Sequence, residues 1–229
     1  MTAERAVRLR REAWGFAIGS LFFVVGAVPA YQVAVGDVIT NLTFFVGAIF
    51  FTAAALIQLL LSGRRPPRGG AERADLYDWW AAAVQFAGTL FFNVSTTEAL
   101  IVAANSSARV GNGWRPDALG SICFLVASAL AVRATVDRER LWDPRARTWH
   151  GTWLNLIGSV LFGLSAVGAY TIPATGDLVN LFWANAGTFL GAACFFVAAV
   201  LSRRSVPVRV RGRRRSDPTA SAGSVGGRD

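Results

Sequence analysis

Gly88-Thr89-Leu90-Phe91-Phe92 lies in the middle of a long apolar run and shows the pattern that organises the chain. The pattern is a glycine, a small residue, two apolar residues and then phenylalanine. Each of five other apolar runs contains one related stretch, and the last of these ends in glycine instead of phenylalanine. The five are Gly19-Ser20-Leu21-Phe22-Phe23, Gly47-Ala48-Ile49-Phe50-Phe51, Gly120-Ser121-Ile122-Cys123-Phe124, Gly158-Ser159-Val160-Leu161-Phe162 and Gly187-Thr188-Phe189-Leu190-Gly191.

The composition of the chain indicates a membrane protein. Hydrophobic residues make up 53% of its 229 residues. They fall in blocks of about 20, the length that a helix needs to cross about 30 Å of hydrocarbon. Six helices that are apolar on every side would have nothing to cover them in water. We therefore predict an all-α integral membrane protein with six transmembrane helices.

Loop signals group the six runs into three tandem helical hairpins. A stretch rich in Arg, Pro and Gly, residues 62–70, separates the first two hairpins, and a mixed-charge stretch, residues 138–149, separates the last two. We predict a transmembrane domain at residues 14–202, with hairpins at 14–62, 79–136 and 151–202. The first helix is expected from about Trp14 to Val35, the fifth from about Gly151 to Ile172 and the sixth from about Leu178 to Leu201, with Asp177 as its cap. A basic segment at residues 1–13 precedes it. A tail at residues 203–229, rich in Arg, Ser, Gly and Pro, is predicted to be disordered.

The distribution of arginine predicts the topology. All 23 basic residues are Arg, and 21 of them lie on one side of a six-span arrangement. Only Arg109 and Arg115 lie on the other side. Because basic residues are retained in the cytoplasm, both termini are predicted to be cytoplasmic, in the inner membrane of a bacterium.

The first and last hairpins resemble each other in sequence. Trp14, Gly19, Ser20 and Phe23 recur 139 residues later as Trp153, Gly158, Ser159 and Phe162. Each hairpin has two spans, so all three would enter the membrane from the same side as parallel repeats. Lipid tails are as apolar as leucine side chains, so apolar contact alone does not hold membrane helices together. Glycine and other small residues instead allow the helices to approach closely. The repeated pattern therefore predicts helix packing rather than catalysis.

The glycine pattern resembles the YrhK-like domain, a small bacterial membrane domain. The residues that carry the resemblance are the six stretches above, especially residues 18–23 and 119–122. It would cover most of residues 14–202 as degenerate two-helix repeats. Ala48 replaces the usual Ser and Gly191 the usual Phe. The resemblance implies a membrane location and no established activity.

The third predicted helix, residues 79–103, is the most polar one. Gln85, Thr89, Asn93 and Thr96 follow at steps of four, four and three residues, which places them on one helical face. Such a face must contact protein or water, because unpartnered polar groups are costly in a bilayer. We expect either a hydrogen-bonded seam between helices or a polar pathway. Candidate partners are Asn155 and Asn185.

Glu98 is an acidic residue well inside an apolar segment. Intramembrane carboxylates commonly couple to protons or cations, so Glu98 is a candidate functional residue. Its position near the end of the third helix equally allows an interfacial role or pairing with Arg109 or Arg115.

Catalytic and cofactor motifs are not found in the sequence. His150 is the one histidine, and Cys123 and Cys194 lie in separate apolar runs. We therefore expect no metal site, no cofactor and no enzymatic activity. The tail from Arg203 to Arg215 is expected to attract anionic lipid headgroups, not nucleic acid.

Two functions follow as expectations. The first is a structural or interaction protein, an accessory subunit with a membrane-protein partner or a homo-oligomer. The second is a small channel or transporter with its pathway along the third helix and Glu98 as the coupling residue.

Overall fold

The computed structural model describes residues 3–63, 65–67, 72–105, 114–137 and 147–203. These residues form six α-helices and no strand longer than one isolated bridge, between Thr171 and Leu178. The helices are α1 (Ala3–Gly26), α2 (Pro29–Ser62), α3 (Arg73–Ala104), α4 (Trp114–Asp137), α5 (Arg147–Gly168) and α6 (Leu181–Arg203). The all-α prediction is confirmed. Arg109 and residues 204–229 of the basic tail lie outside the described residues.

Five of these helices, α2 to α6, are long and apolar enough to cross a membrane. Helix α1 differs because Arg10, Arg11 and Glu12 lie inside it. Its apolar part, from Ala13 to Gly26, is about 21 Å long at a rise of about 1.5 Å per residue. That length is shorter than the hydrocarbon core of a typical bilayer.

The first predicted helix, from Trp14 to Val35, is divided in the structure. Helix α1 ends at Gly26, and Pro29 begins α2. At the first position of a helix the missing N–H group of proline breaks no hydrogen bond, because that N–H has no partner within the helix. Gly36 then interrupts α2 with a φ of 79°. The segment from Pro29 to Val35 is therefore a short separate leg of α2.

The connection between α5 and α6 is longer than predicted. Helix α5 ends at Gly168, and α6 begins at Leu181. Gly176 has a φ of 76°, close to that of its counterpart Gly36. The side-chain oxygen of Asn180 accepts a hydrogen bond from the backbone N–H of Trp183 at 3.0 Å. Asn180, rather than the expected Asp177, therefore caps α6.

The six helices form a closed ring. The most extensive contacts are those of α1 with α2, α3 with α4 and α5 with α6. These pairs then join through α2 and α3, α4 and α5, and α6 and α1. Each helix thus packs on its two neighbours in sequence, and the ring closes between the two ends of the chain.

Glycines face each other across each of the three helix pairs. A Cβ atom on Gly19 would lie 3.0 Å from the carbonyl oxygen of Gly47, and one on Gly120 would lie 3.2 Å from that of Gly88. The third pair is Gly158 with Gly191, again at 3.0 Å. The sixth copy of the pattern is therefore Gly191-Ala192-Ala193-Cys194-Phe195, one turn later than predicted.

The outer surface of the ring is apolar. The residue after the small position points outward in five copies of the pattern, with exposures from 45% to 57%. These residues are Leu21, Ile49, Leu90, Ile122 and Val160. A surface of this kind requires lipid or protein to cover it.

Candidate functional site

One phenylalanine from each helix fills the centre of the ring. Phe23, Phe92 and Phe162 come from the odd-numbered helices, and their ring centroids lie 5.8–6.5 Å apart. The even-numbered helices supply a second triangle, made by Phe51, Phe124 and Phe195, with centroids 5.7–6.4 Å apart. Within each helix pair the two triangles are in contact, at 5.1–5.4 Å. We call these six residues the Phe core.

Small residues surround the Phe core at the position after each paired glycine. Their exposure is at most 3%, and they are Ser20, Ala48, Thr89, Ser121, Ser159 and Ala192. Larger side chains at these positions would hold the helices apart. The paired glycines and the small residues after them thus keep the ring of helices narrow. The six phenylalanine side chains fill its centre.

A cavity of about 180 Å³ lies on the side of the Phe core that is nearer to the N-terminal part of α1. We call it the terminal cavity. Its polar lining includes Glu12, Gln58, Gln85 and Asn155. Its apolar lining includes Phe16 and the even-numbered triangle. The same four polar residues also line a wider space of about 750 Å³, which extends towards Asp75 and Asp78.

Glu12 is the residue of this cavity that the sequence analysis did not single out. Burial raises the pKa of its carboxyl group from 4.5 to about 7, because the charged form loses its contact with water. Gln58 was also missed, and its buried Oε1 atom has no hydrogen-bond partner. Glu12 lies two helical turns before Gly19, on the same face, and this spacing would have predicted that it points inward.

A second cavity, of about 460 Å³, lies beyond the opposite side of the Phe core. We call it the opposite cavity. Its lining includes the carboxyl groups of Asp37, Glu98 and Asp117. The amide of Gln32 donates a hydrogen bond to Asp37 at 2.9 Å. The buried Oε2 atom of Glu98 has no hydrogen-bond partner.

The polar face predicted on the third helix contacts a cavity, its own backbone and helix α2. Gln85 lines the terminal cavity. Thr89 and Thr96 donate hydrogen bonds to carbonyl groups of their own helix, at 2.7 and 2.8 Å. Asn93 donates to Thr52 of α2 at 2.7 Å. The four side chains thus have three different environments.

The two candidate partners of this face lie in different places. Asn155 of α5 lines the terminal cavity together with Gln85. Asn185 of α6 instead lines an open apolar groove of about 570 Å³ with Pro29 and Phe182. Because α6 packs on α5 and α1, Asn185 is not brought to α3.

Hydroxyl groups link α5 to both of its neighbours. Ser159 and Ser128 of α4 share a hydrogen bond of 2.7 Å. Ser165 and Thr188 of α6 share one of 2.6 Å. These hydrogen bonds between helices add to the one that Asn93, on the predicted face of α3, makes with Thr52 of α2.

In the described part of the chain, no group of three or more His, Cys, Asp or Glu side chains converges. Cys123 and Cys194 are partly buried and not joined in a disulfide.

The comparison with known protein families agrees with the glycine pattern. The family model described as YrhK-like protein matches residues 75–172, from the first turn of α3 to the segment after α5. The predicted resemblance is confirmed over these residues, and the match is narrower than the expected range of 14–202. No curated protein and no solved structure matches the chain.

Proposed function

We propose that this chain, which has its YrhK-like match at residues 75–172, is a non-enzymatic membrane protein with an interaction role, an accessory subunit of a larger membrane assembly. The observation that carries the proposal is the Phe core. Its two stacked triangles lie between the terminal and opposite cavities, so neither polar cavity continues through the ring. Packing of this kind suits a rigid scaffold better than a pathway.

The proposed placement has all six helices across a bacterial inner membrane. Helix α1 lies in the closed ring between α2 and α6. Its Gly19 packs against Gly47 of α2, a helix that is long enough to span a membrane. This supports a spanning position for α1 despite its short apolar part. The arginine distribution supports a cytoplasmic position for both termini, where the segment from Arg203 to Arg215 would contact anionic lipid headgroups.

The groove that contains Asn185 supports an interaction role. Most of its lining is apolar, and the exposure of Phe182 beside it is 69%. A side-chain amide at a lipid-facing surface gains from a hydrogen bond to another helix. We therefore propose that a second helix, from a partner or from another copy of the chain, covers this groove.

Purification in a mild detergent tests this function. We expect a stoichiometric partner, or a defined homo-oligomer, with the wild-type chain and its loss with Asn185→Leu. Ile157→Leu, which changes an exposed apolar residue of α5, serves as the control. A monomer without any partner in both detergent and nanodiscs would contradict the proposal.

The second candidate function is a small channel or transporter. The observation that favours it is the pair of polar cavities on opposite sides of one closed layer, with the buried Glu98 oxygen in one of them. Proteoliposome flux of protons and monovalent cations distinguishes the two functions. Flux that disappears in Glu98→Gln would favour the transporter, and the absence of flux would favour the scaffold.

A further inference from the structure

The terminal cavity is the place where the three helix pairs differ from one another. Nine positions that line this cavity or its wider extension form three equivalent sets, counted from the paired glycines. The first set lies seven residues before the first glycine of each pair and consists of Glu12, Ala81 and Gly151. The second set lies three residues before the same glycine and consists of Phe16, Gln85 and Asn155. The third set lies eleven residues after the second glycine and consists of Gln58, Ala131 and Ser202.

These differences create a space with one charged side chain. Glu12 stands where the other two pairs have only Ala81 and Gly151, so this set holds one large charged side chain and two small residues. The residues equivalent to Gln58 in the other two pairs, Ala131 and Ser202, are also smaller. A volume of 180 Å³ would hold about six water molecules at about 30 Å³ each.

The lining offers more hydrogen-bond acceptors than it uses. The Oε1 atom of Gln58 is buried and lacks a donor. A buried acceptor without a donor is destabilising, so a ligand that supplies N–H groups would remove this penalty. Glu12 supplies a carboxylate to the same space, and Gln85 and Asn155 supply amide groups.

We propose that the terminal cavity binds a small primary alkylammonium cation. The ammonium group would donate hydrogen bonds to the carboxylate of Glu12 and to Oε1 of Gln58. The alkyl chain would pack on the rings of the even-numbered triangle. This binding site is separate from the proposed interaction role and does not depend on it.

The chemistry of the lining disfavours other classes of ligand. The described lining of both the terminal cavity and its wider extension contains no Arg, Lys or His, so an anion would meet a carboxylate without a compensating charge. Among the described residues, Glu12 is the one acidic ligand that a metal ion would meet in the terminal cavity, since Asp75 and Asp78 line its wider extension instead. An ammonium group instead combines one positive charge with three N–H donors.

Binding should depend on pH through Glu12. The titratable groups that share the wider space with it are Asp75 and Asp78 of α3, while α2, α4 and α5 contribute Gln58, Ser128 and Asn155 to the same lining. The narrower cavity adds Ser202 from α6. Because burial raises the pKa of Glu12 to about 7, the cation should bind more tightly at about pH 8 than at about pH 6.

Isothermal titration calorimetry on the full chain in phosphatidylglycerol nanodiscs tests the proposal. The probe is propylammonium chloride, and the neutral comparison is propan-1-ol, which has the same number of heavy atoms. We expect saturable 1:1 binding of propylammonium only. Glu12→Gln should weaken it about tenfold or more, because the charge-assisted hydrogen bond is lost. Glu4→Gln, an exposed carboxylate on the same helix, should leave it unchanged.

A second variant separates binding from folding. Gln58→Leu keeps the volume of the side chain and should also weaken propylammonium binding. Addition of phosphatidylethanolamine to the nanodiscs shows whether a lipid headgroup can supply the ammonium, since it would then compete with the probe. Equal binding of propan-1-ol, or full binding to folded Glu12→Gln, would overturn the proposal. Absence of saturable binding to the wild-type chain would overturn it as well.

Discussion

Gly158 of α5 and Gly191 of α6 face each other so closely that a Cβ atom on Gly158 would lie 3.0 Å from the carbonyl oxygen of Gly191. Equivalent glycine pairs join α1 to α2 and α3 to α4. Lipid tails offer apolar side chains the same contacts as a neighbouring helix does. A pair of membrane helices therefore gains mainly from the close approach of the two backbones. The three pairs therefore fix the distances within the ring and the position of the Phe core.

Gly187→Ala is expected to destabilise the bundle by about 1–3 kcal/mol. Gly187 lies one turn before Gly191, and a Cβ atom there would be 2.6 Å from the carbonyl oxygen of Leu161. Backbone atoms cannot move aside as the end of a side chain can. The midpoint of unfolding in detergent measures the loss. Gly163→Ala is the control because no atom lies within 4 Å of its added Cβ, and an equal loss in that variant would contradict the packing explanation.

Phe162→Ala is expected to cost about 3 kcal/mol in the free energy of unfolding. The Phe162 ring contacts those of Phe23, Phe92, Phe124 and Phe195, so its removal leaves a cavity in the middle of the ring. The matched control is Phe182→Ala, whose side chain is mostly exposed. Similar unfolding midpoints for the two variants would show that the Phe core does not stabilise the bundle.

Glu12→Gln is expected to remove part of the pH dependence of stability. Burial raises the pKa of Glu12 above its unfolded value of 4.5, to about 7, so the folded state holds the proton more tightly. The stabilisation is therefore complete below about pH 4.5 and is lost as the pH rises through about 7. Unfolding midpoints between pH 4 and pH 8 should fall less in Glu12→Gln than in the wild type. Glu4→Gln should retain the wild-type slope.

A double-mutant cycle on Asn93 and Thr52 is expected to show a coupling energy of about 0.6 kcal/mol, the average for hydrogen bonds between membrane helices. The Asn93 amide donates to the Thr52 hydroxyl at 2.7 Å, and this bond joins α3 to α2. The variants are Asn93→Leu, Thr52→Val and the combination of both. Purely additive effects on unfolding would indicate that the hydrogen bond contributes nothing.

Gly36→Ala is expected to destabilise the protein by about 1–2 kcal/mol, because alanine is strained at a φ of 79°. No atom lies within 4 Å of the added Cβ, so crowding makes no contribution. Gly151→Ala is equally uncrowded but lies within α5, where alanine favours the helix. The two variants should therefore move the unfolding midpoint in opposite directions. A shift in the same direction would show that the strain at Gly36 is relieved by local rearrangement.

The existence of the helices could be predicted from local sequence alone. Apolar runs of about 20 residues, with loops rich in Arg, Pro and Gly, predict six helices in the order observed. Five copies of the glycine pattern were also placed correctly, because each fits within two helical turns. The boundary near Val35 was wrong because Pro29 is compatible both with a kinked helix and with the first turn of a new one.

The candidate residues differ in how far the local sequence could predict their surroundings. Gln85 lines the terminal cavity, Asn93 bonds to Thr52 and Glu98 lines the opposite cavity, while a functional role for them stays a prediction. Of the candidate partners, Asn155 lines the terminal cavity together with Gln85, as the repeat suggested, whereas Asn185 lies elsewhere. Thr52 was not anticipated, because it lies on α2 and no periodicity in α3 identifies it. Glu12 was assigned to a basic segment because its neighbours in sequence are arginines, whereas its neighbours in space are Gln58, Gln85 and Asn155.

The sequence by itself determined the helical class, the apolar exterior and the pattern of glycine, small residue and phenylalanine, since these depend on residues within one or two turns. Only the tertiary structure decided that Gly191 rather than Gly187 faces Gly158, that α6 closes the ring on α1, and that the Phe core separates two polar cavities. The physical reason is that each of these depends on the relative sliding and rotation of different helices. That placement is set by contacts between residues far apart in sequence.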